Sequence, residues 1–302
     1  MPEVSAVNTN IPQKKNNMLR TAAGNTVGAA ISLASCGWAI NNRYGSVSME
    51  KLNKKAKKYS FVDSFENIKP MAEKMLEETG LKEKEVKILW VDGSKESLDE
   101  LNRIINKSTP RKNWRLRRLN HNAKMTLGVG ANAMYSPREK TIICHTGNIC
   151  KAVAHEIGHA IDIHNSHFVK KLFNWDRKLI STYDIPKIAP FVIGIGLLHE
   201  VNKTKPSSEK NKKDKMLDFI SNNAGKFLFA SYIPMLMIEG RASNNGLKAG
   251  KSHMGNKFSK YVTSYIGAFI HHMRTPIVVS AGVALGIWAA NKIKNSGKSK
   301  QA

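Results

Sequence analysis

The sequence predicts a mostly helical α+β fold with a small sheet, joined to apolar helices that associate with a membrane. Three observations carry that expectation. Short β-branched runs, VKILWV (86–91) and TIIC (141–144), alternate with longer segments of helical periodicity. The second half of the chain holds uncharged runs at 188–198, 227–238 and 275–291, of 11, 12 and 17 residues. The net charge is +25, from 48 Lys plus Arg against 23 Asp plus Glu, which predicts attraction to anionic surfaces. The lysines are spread along the chain, a pattern that suits an anionic lipid surface better than a single nucleic-acid groove.

In chain order, residues 1–20 are polar and lack an early apolar run, so they read as a flexible tail and not as a cleavable signal peptide. Residues 21–42 hold no charge between Arg20 and Arg43. Those 22 positions are enough for a membrane anchor, while their Gly, Ala, Ser and Asn content leaves an interfacial helix as an equal alternative. A lysine-rich helical stretch follows at 49–59. A clearer helix spans about 62–79, where Phe65, Ile68, Met71, Ala72 and Met75 share a face and Gly80 stops it. VKILWV reads as a strand, and 95–107 returns to helical spacing through Leu98, Leu101, Ile104 and Ile105.

In the basic segment 111–124, Trp114 lies among Arg111, Lys112, Arg115, Arg117 and Arg118. A solvated or headgroup-facing surface is the commoner meaning of such a run, and no nucleic-acid partner is expected. GANAMYSPREKTIIC (130–144) reads as two short extended pieces around a Ser-Pro turn. Three cysteines, Cys36, Cys144 and Cys150, are too few for a disulfide framework and point to a reducing compartment.

The chemistry is concentrated in VAHEIGHAID (153–162), which contains His155, Glu156 and His159 in the order H-E-x-x-H. Ile149, Cys150, Val153, Ala154, Ile157, Gly158 and Ile161 give the segment a buried helical side. Residues four apart stack on one helical face, so His155 and His159 can direct ring nitrogens at one ion. Zinc suits such a donor set, and an open position on it brings the pKa of water to roughly 7. Glu156 is one position round from His155. It is placed to take that water's proton and pass it to a leaving amine.

Two histidines leave the site incomplete, and four residues compete for the third ligand. His164 lies nine residues after His155, one short of the metzincin spacing and without its glycine. Asp162 shares the histidine face, where it suits an outer acceptor for an imidazole N–H or a helix-packing role better than ligation. Glu200, in LLHEV, has no small residues beside it. Glu239 ends the apolar run MLMI and is followed by the small Ala242 and Ser243 on its own face. A carboxylate there is costly unless neutralised, and a metal would neutralise it. Glu239 is therefore the expected third ligand.

A strand like VKILWV, an N-A element like GANAMYS, a strand like TIIC, then HEIGH, a hydrophobic hairpin over 182–238 and E-x-x-A-x-x-x-G at Glu239, Ala242 and Gly246 occur in order. Over roughly residues 60–260 this resembles the membrane zinc metallopeptidases of the HtpX and CAAX prenyl protease type. The resemblance implies a zincin-like (gluzincin) metallopeptidase domain over 47–274. It also implies one zinc per chain on His155, His159 and Glu239, Glu156 as general base, and cleavage of membrane or membrane-proximal protein substrates. Residues 275–302 would then form a C-terminal hydrophobic helix and basic tail.

Two departures from the family pattern stand out. Ser243 replaces the aspartate of E-x-x-A-D, so the outer shell of the site must differ. The segment KTKPSSEKNKKDK (203–215) carries six lysines against one Glu and one Asp. Such a loop is disfavoured opposite a cytoplasmic active site. Either the active site faces away from the cytoplasm, or the two apolar runs around this loop, of 11 and 12 residues, dip into the membrane without crossing it. The second, which keeps the active site on the cytoplasmic side, is the favoured expectation. The resembled family stabilises the oxyanion with a residue beyond the glutamate. Arg241, His253 and Tyr261 are unranked candidates for it, and a plain surface role is the favoured reading of each. The expectation is thus a membrane-associated zinc endopeptidase. The competing reading is a non-catalytic metal-binding or structural membrane protein that retains the H-E-x-x-H helix.

Overall fold

The structure, a computed structural model, describes residues 10–44, 63–108, 124, 127–128, 133–147, 152–167, 170–171 and 211–296. The expected elements at 49–59 and 188–198, nearly all of 111–124, and Glu200 lie outside these residues. The fold is mostly helical with one three-stranded sheet, as expected. The chain divides into two compact units. One comprises Met1–Asn42, Thr182–Tyr232 and Arg274–Ala302, the other Arg43–Ser181 and Ile233–Met273.

The second unit contains the H-E-x-x-H motif. Its helix α2 (Phe65–Glu78) buries Ile68, Met71, Ala72, Met75 and Leu76 on one face. The helix ends where expected, because Gly80 adopts φ +66°, a left-handed conformation that a Cβ disfavours. That turn lets Leu81 N–H reach back to the Leu76 carbonyl at 2.9 Å. Strand β1 (Lys87–Val91) and helix α3 (Lys95–Ser108) follow. Strands β2 (Met134–Ser136) and β3 (Thr141–His145) are the two extended pieces around the turn.

The strand order is β1-β3-β2, with β1 parallel to β3 from Lys87↔Thr141 to Val91↔His145. Strand β2 pairs antiparallel, Met134 opposite Ile143. The central strand β3 is apolar on both faces for a structural reason. Ile142 and Cys144 join the core formed with α2 and the H-E-x-x-H helix, whereas Ile143 packs with Leu101, Ile104 and Ile105 of α3. Helices therefore cover both faces of the sheet. Cys36 and Cys144 are both buried free thiols, and Cys150 lies outside the described residues.

Helix α4 (Val153–Asn165) carries the motif. In the other unit lie α1, which runs Asn10–Tyr44 with its last residues beyond that unit's bound, α5 (Lys212–Asn222) and α6 (Ala224–Ser231). Helix α5 opens with a capping box in which the Asn211 side chain accepts from Asp214 N–H at 2.8 Å. The run 227–238, read as one apolar segment, is broken. Helix α7 (Ile233–Met254) starts anew after Tyr232, because Pro234 has no N–H to carry a helix through and is tolerated only in a first turn.

Helix α8 (Phe258–Asn295) begins 17 residues before the apolar run at 275 and passes through Pro276. Helix α1 likewise begins at Asn10, inside the stretch expected to be a flexible tail. Within Ala224–Asn295 there is a helix long and apolar enough to cross a membrane by length and composition, with a window of mean hydropathy 1.4.

Candidate metal centre

The site forms where α4 meets α7, and glycines decide how closely they meet. A methyl group in place of the Gly158 hydrogen would stand 1.9 Å from the Ala242 carbonyl oxygen. One on Gly246 would stand 2.1 Å from the Ala154 carbonyl oxygen. The two backbones therefore touch directly. Glu239, Ala242 and Gly246 lie at i, i+3 and i+7, on one face of α7, so the contact that Ala242 and Gly246 allow also carries Glu239 toward α4.

Three imidazole nitrogens converge on one Glu239 oxygen. From Oε2, His155 Nε2 is 3.2 Å away, His159 Nε2 3.6 Å and His272 Nε2 3.5 Å. Donor atoms of His155, His159 and Glu239 all lie within 4.8 Å of one another, so these three residues could hold a metal ion. Ligands at about 2.0–2.1 Å from a tetrahedral ion stand about 3.4 Å apart, a value that the observed 3.2 and 3.6 Å bracket. Two imidazoles and a carboxylate fit zinc in chemistry as well as spacing. The side chains of the three are 12–20% exposed.

Electrostatics point the same way. Burial opposes a positive charge on the His159 ring, but the adjacent Glu239 carboxylate, by attraction and hydrogen bonding, more than offsets it. The pKa is raised to about 9. The pocket thus favours a positive charge, which a proton supplies in the metal-free protein.

The outer residues orient the ligands. Ser243 Oγ is 3.0 Å from His155 Nδ1; in the tautomer that donates Nδ1–H to this hydroxyl, the Nε2 lone pair faces the site as a metal-ligating atom. A serine hydroxyl thus holds the imidazole. Glu156 is 8% exposed, adjacent to His155 in the first turn of α4.

Asp162 does not touch an imidazole. Its Oδ1 accepts from Arg241 at 2.9 Å and Asn245 at 2.7 Å, tying α4 to α7. The helix-packing alternative, and not that of an imidazole acceptor, describes its contacts. His164 is turned away from the site, with Nε2 at 2.8 Å from the Tyr135 hydroxyl.

The three sequence candidates for oxyanion stabilisation are engaged elsewhere. Arg241 pairs with Asp162, His253 lies 2.9 Å from Glu78, and the buried Tyr261 donates to Asp63 Oδ2 at 3.1 Å. Two residues that the motif reading missed stand at the site instead. The Tyr265 ring packs edge-on to His155, centroids 5.7 Å apart. Its hydroxyl accepts from the His155 main-chain N–H, a first-turn donor with no partner inside α4. His272 is the other. Tyr261, Tyr265 and His272 recur at i, i+4 and i+11 along α8, a helical stripe of polar aromatics that was the available signal.

Comparison of the chain with protein-family models, with curated proteins and with solved structures finds no match.

Proposed function

We propose that this chain is a membrane-associated zinc endopeptidase, similar in its catalytic domain to the HtpX and CAAX prenyl protease type. The observation that carries the reading is the convergence of His155, His159 and Glu239, from two helices locked backbone to backbone, beside a buried glutamate in H-E-x-x-H order. Bound there, zinc supplies Lewis acidity toward a peptide carbonyl and an attacking water.

The chain's own residues do the rest. Ser243 fixes the His155 tautomer, and Tyr265 fixes the start of α4 that carries His155 and Glu156. Glu156 takes a proton from the attacking water and delivers it to the departing amine nitrogen. His272, 38% exposed at the open side of Glu239, donates an N–H to the charge that develops on the former carbonyl oxygen. The substrate is a protein or peptide at or near the membrane surface, and the active site faces the cytoplasm.

Metal analysis of the purified full chain beside His155→Ala, Glu239→Gln and Glu156→Gln tests this. The expectation is one zinc per chain, lost in the first two variants and kept in the third, with proteolysis abolished in all three. Undiminished zinc in Glu239→Gln would remove it as a ligand. Undiminished proteolysis in Glu156→Gln would remove the mechanism.

A further inference from the structure

The unit containing most of α1 and the end of α8 places its residues in an order inverted from that of a water-soluble helix pair. A methyl on Gly282 would meet Ser35 at 2.3 Å, and one on Gly286 would meet Ser32 at 2.2 Å and the Gly28 carbonyl oxygen at 2.5 Å. One on Gly24 would meet the Ala290 carbonyl oxygen at 2.7 Å. As α1 advances from Gly24 to Ser35 its partner recedes from Ala290 to Gly282, so the two helices run antiparallel. Small residues line the contact on both sides, at spacings of three and four.

Val279, Val283 and Ile287 of α8 are buried, whereas other large apolar residues point outward. Val27, Leu33 and Trp38 of α1, with Ile277, Leu285 and Trp288 of α8, are 39–57% exposed. In water the large side chains would be the buried ones. Small residues at the helix contact, with a band of large apolar ones exposed beyond it, is the arrangement of helices packed in lipid, where close backbone approach drives association. Cations bound the apolar band. Lys294 lays its stem against Gly24, four residues from Arg20, and Lys292 Nζ sits 5.0 Å over the Trp288 ring. A tryptophan beside a lysine matches the polar boundary of a bilayer. The uncharged 21–42 segment spans about 33 Å as a helix, against about 30 Å of hydrocarbon.

We infer that α1 and the end of α8 cross the bilayer together as an antiparallel pair, with phospholipid chains on the outward face and anionic headgroups on the basic collar. The inference takes α1 as a span on its packing and length, since among the described residues only Ala224–Asn295 is apolar enough by composition alone. It deepens the membrane part of the proposed function and does not rest on the metal.

Site-directed labelling of the full chain in cell membranes tests it. Asn17→Cys, Ser46→Cys and Ser296→Cys are placed singly in a Cys36→Ala, Cys144→Ala, Cys150→Ala background and exposed to a membrane-impermeant maleimide. Residues 17 and 296 are expected to label from one side and residue 46 only from the other. Labelling of 17 and 46 from the same side, or of 17 and 296 from opposite sides, overturns the inference. Alkaline extraction of the unsubstituted chain gives an independent reading should the cysteine background fail to fold. Retention in the membrane pellet supports the pair, and release as a soluble oligomer shows that a second copy covers the outward face. Metal content of the same preparations reports separately on the zinc site.

Discussion

Gly246 of α7 lies against Ala154 of α4 with no room for a side chain, since a Cβ there would stand 2.1 Å from the Ala154 carbonyl oxygen. Backbone cannot retreat as a side-chain tip can. Gly246→Ala is therefore expected to push α7 off α4 at a cost of about 3 kcal/mol, the upper end of ordinary overpacking, and to reduce bound metal along with thermal stability. Gly158→Ala, facing the Ala242 carbonyl at 1.9 Å, should do the same. Gly37→Ala is the control. Nothing lies within 4 Å of its added methyl, and helix propensity favours alanine by up to about 1 kcal/mol. Equal melting temperatures for Gly246→Ala and Gly37→Ala would contradict the close-contact account.

Ser243→Ala leaves the His155 Nδ1 proton without its 3.0 Å acceptor, and the ring is free to turn or change tautomer. Loss of such an outer partner weakens metal binding by about 10–100-fold. Chelator competition on wild type and Ser243→Ala reads this directly. Ser243→Asp, which places a carboxylate acceptor at the same position, is expected to bind metal at least as tightly as wild type. An unchanged affinity in Ser243→Ala would show that Tyr265 and the helix alone orient His155.

Much of this arrangement was legible in the sequence, and the parts that were not share a cause. Local signals served well: Gly80 stopping α2, the β-branched strands, and the i, i+4 histidines all report on neighbours within a turn or two. Glu239 was readable because a carboxylate at the end of an apolar run, next to small residues, asks for a partner. Asp162 was harder, since its partners, Arg241 and Asn245, sit about 80 positions away and only packing brings them to it. The partners of Arg241, His253 and Tyr261, namely Asp162, Glu78 and Asp63, were out of reach for the same reason. Proximity to Glu239 in the chain does not say which way a helix face points. Tyr265 and His272 were reached only through the return of α8.

His272 approaches Glu239 Oε2 at 3.5 Å but is not among the three residues whose donor atoms all lie within 4.8 Å. His272→Ala is therefore expected to keep its metal. Hydrolysis should fall by about 100-fold, the lower end for losing one donor to an oxyanion, with the loss in kcat and not in KM. Metal analysis and steady-state kinetics on one preparation distinguish the roles. Loss of metal in His272→Ala would make it a fourth ligand and the site a closed one.

Asp63 joins α2 to the start of α8. Its carboxylate accepts from Asn67 at 3.2 Å, from Tyr261 at 3.1 Å and from Lys257. Burial alone would raise its pKa, but the Lys257 hydrogen bond and charge, with those of Asn67 and Tyr261, hold it below the ordinary 3.8. A carboxyl whose folded pKa is depressed gives stability that is fully present above the unfolded value, about 3.9, and is lost as pH falls through the lower folded value. The wild-type chain in detergent should accordingly lose stability below about pH 4, while Asp63→Asn should lose less over that window. At pH 7 the same variant is expected to be less stable by about 2 kcal/mol, the scale of hydrogen bonds to a charged group. The Lys257 side chain is 37% exposed, so Lys257→Met should cost less than Asp63→Asn. Unfolding midpoints at pH 7 and pH 3 for the three proteins check the order. If Asp63→Asn keeps the full acid sensitivity of wild type, other carboxylates set it and Asp63 does not.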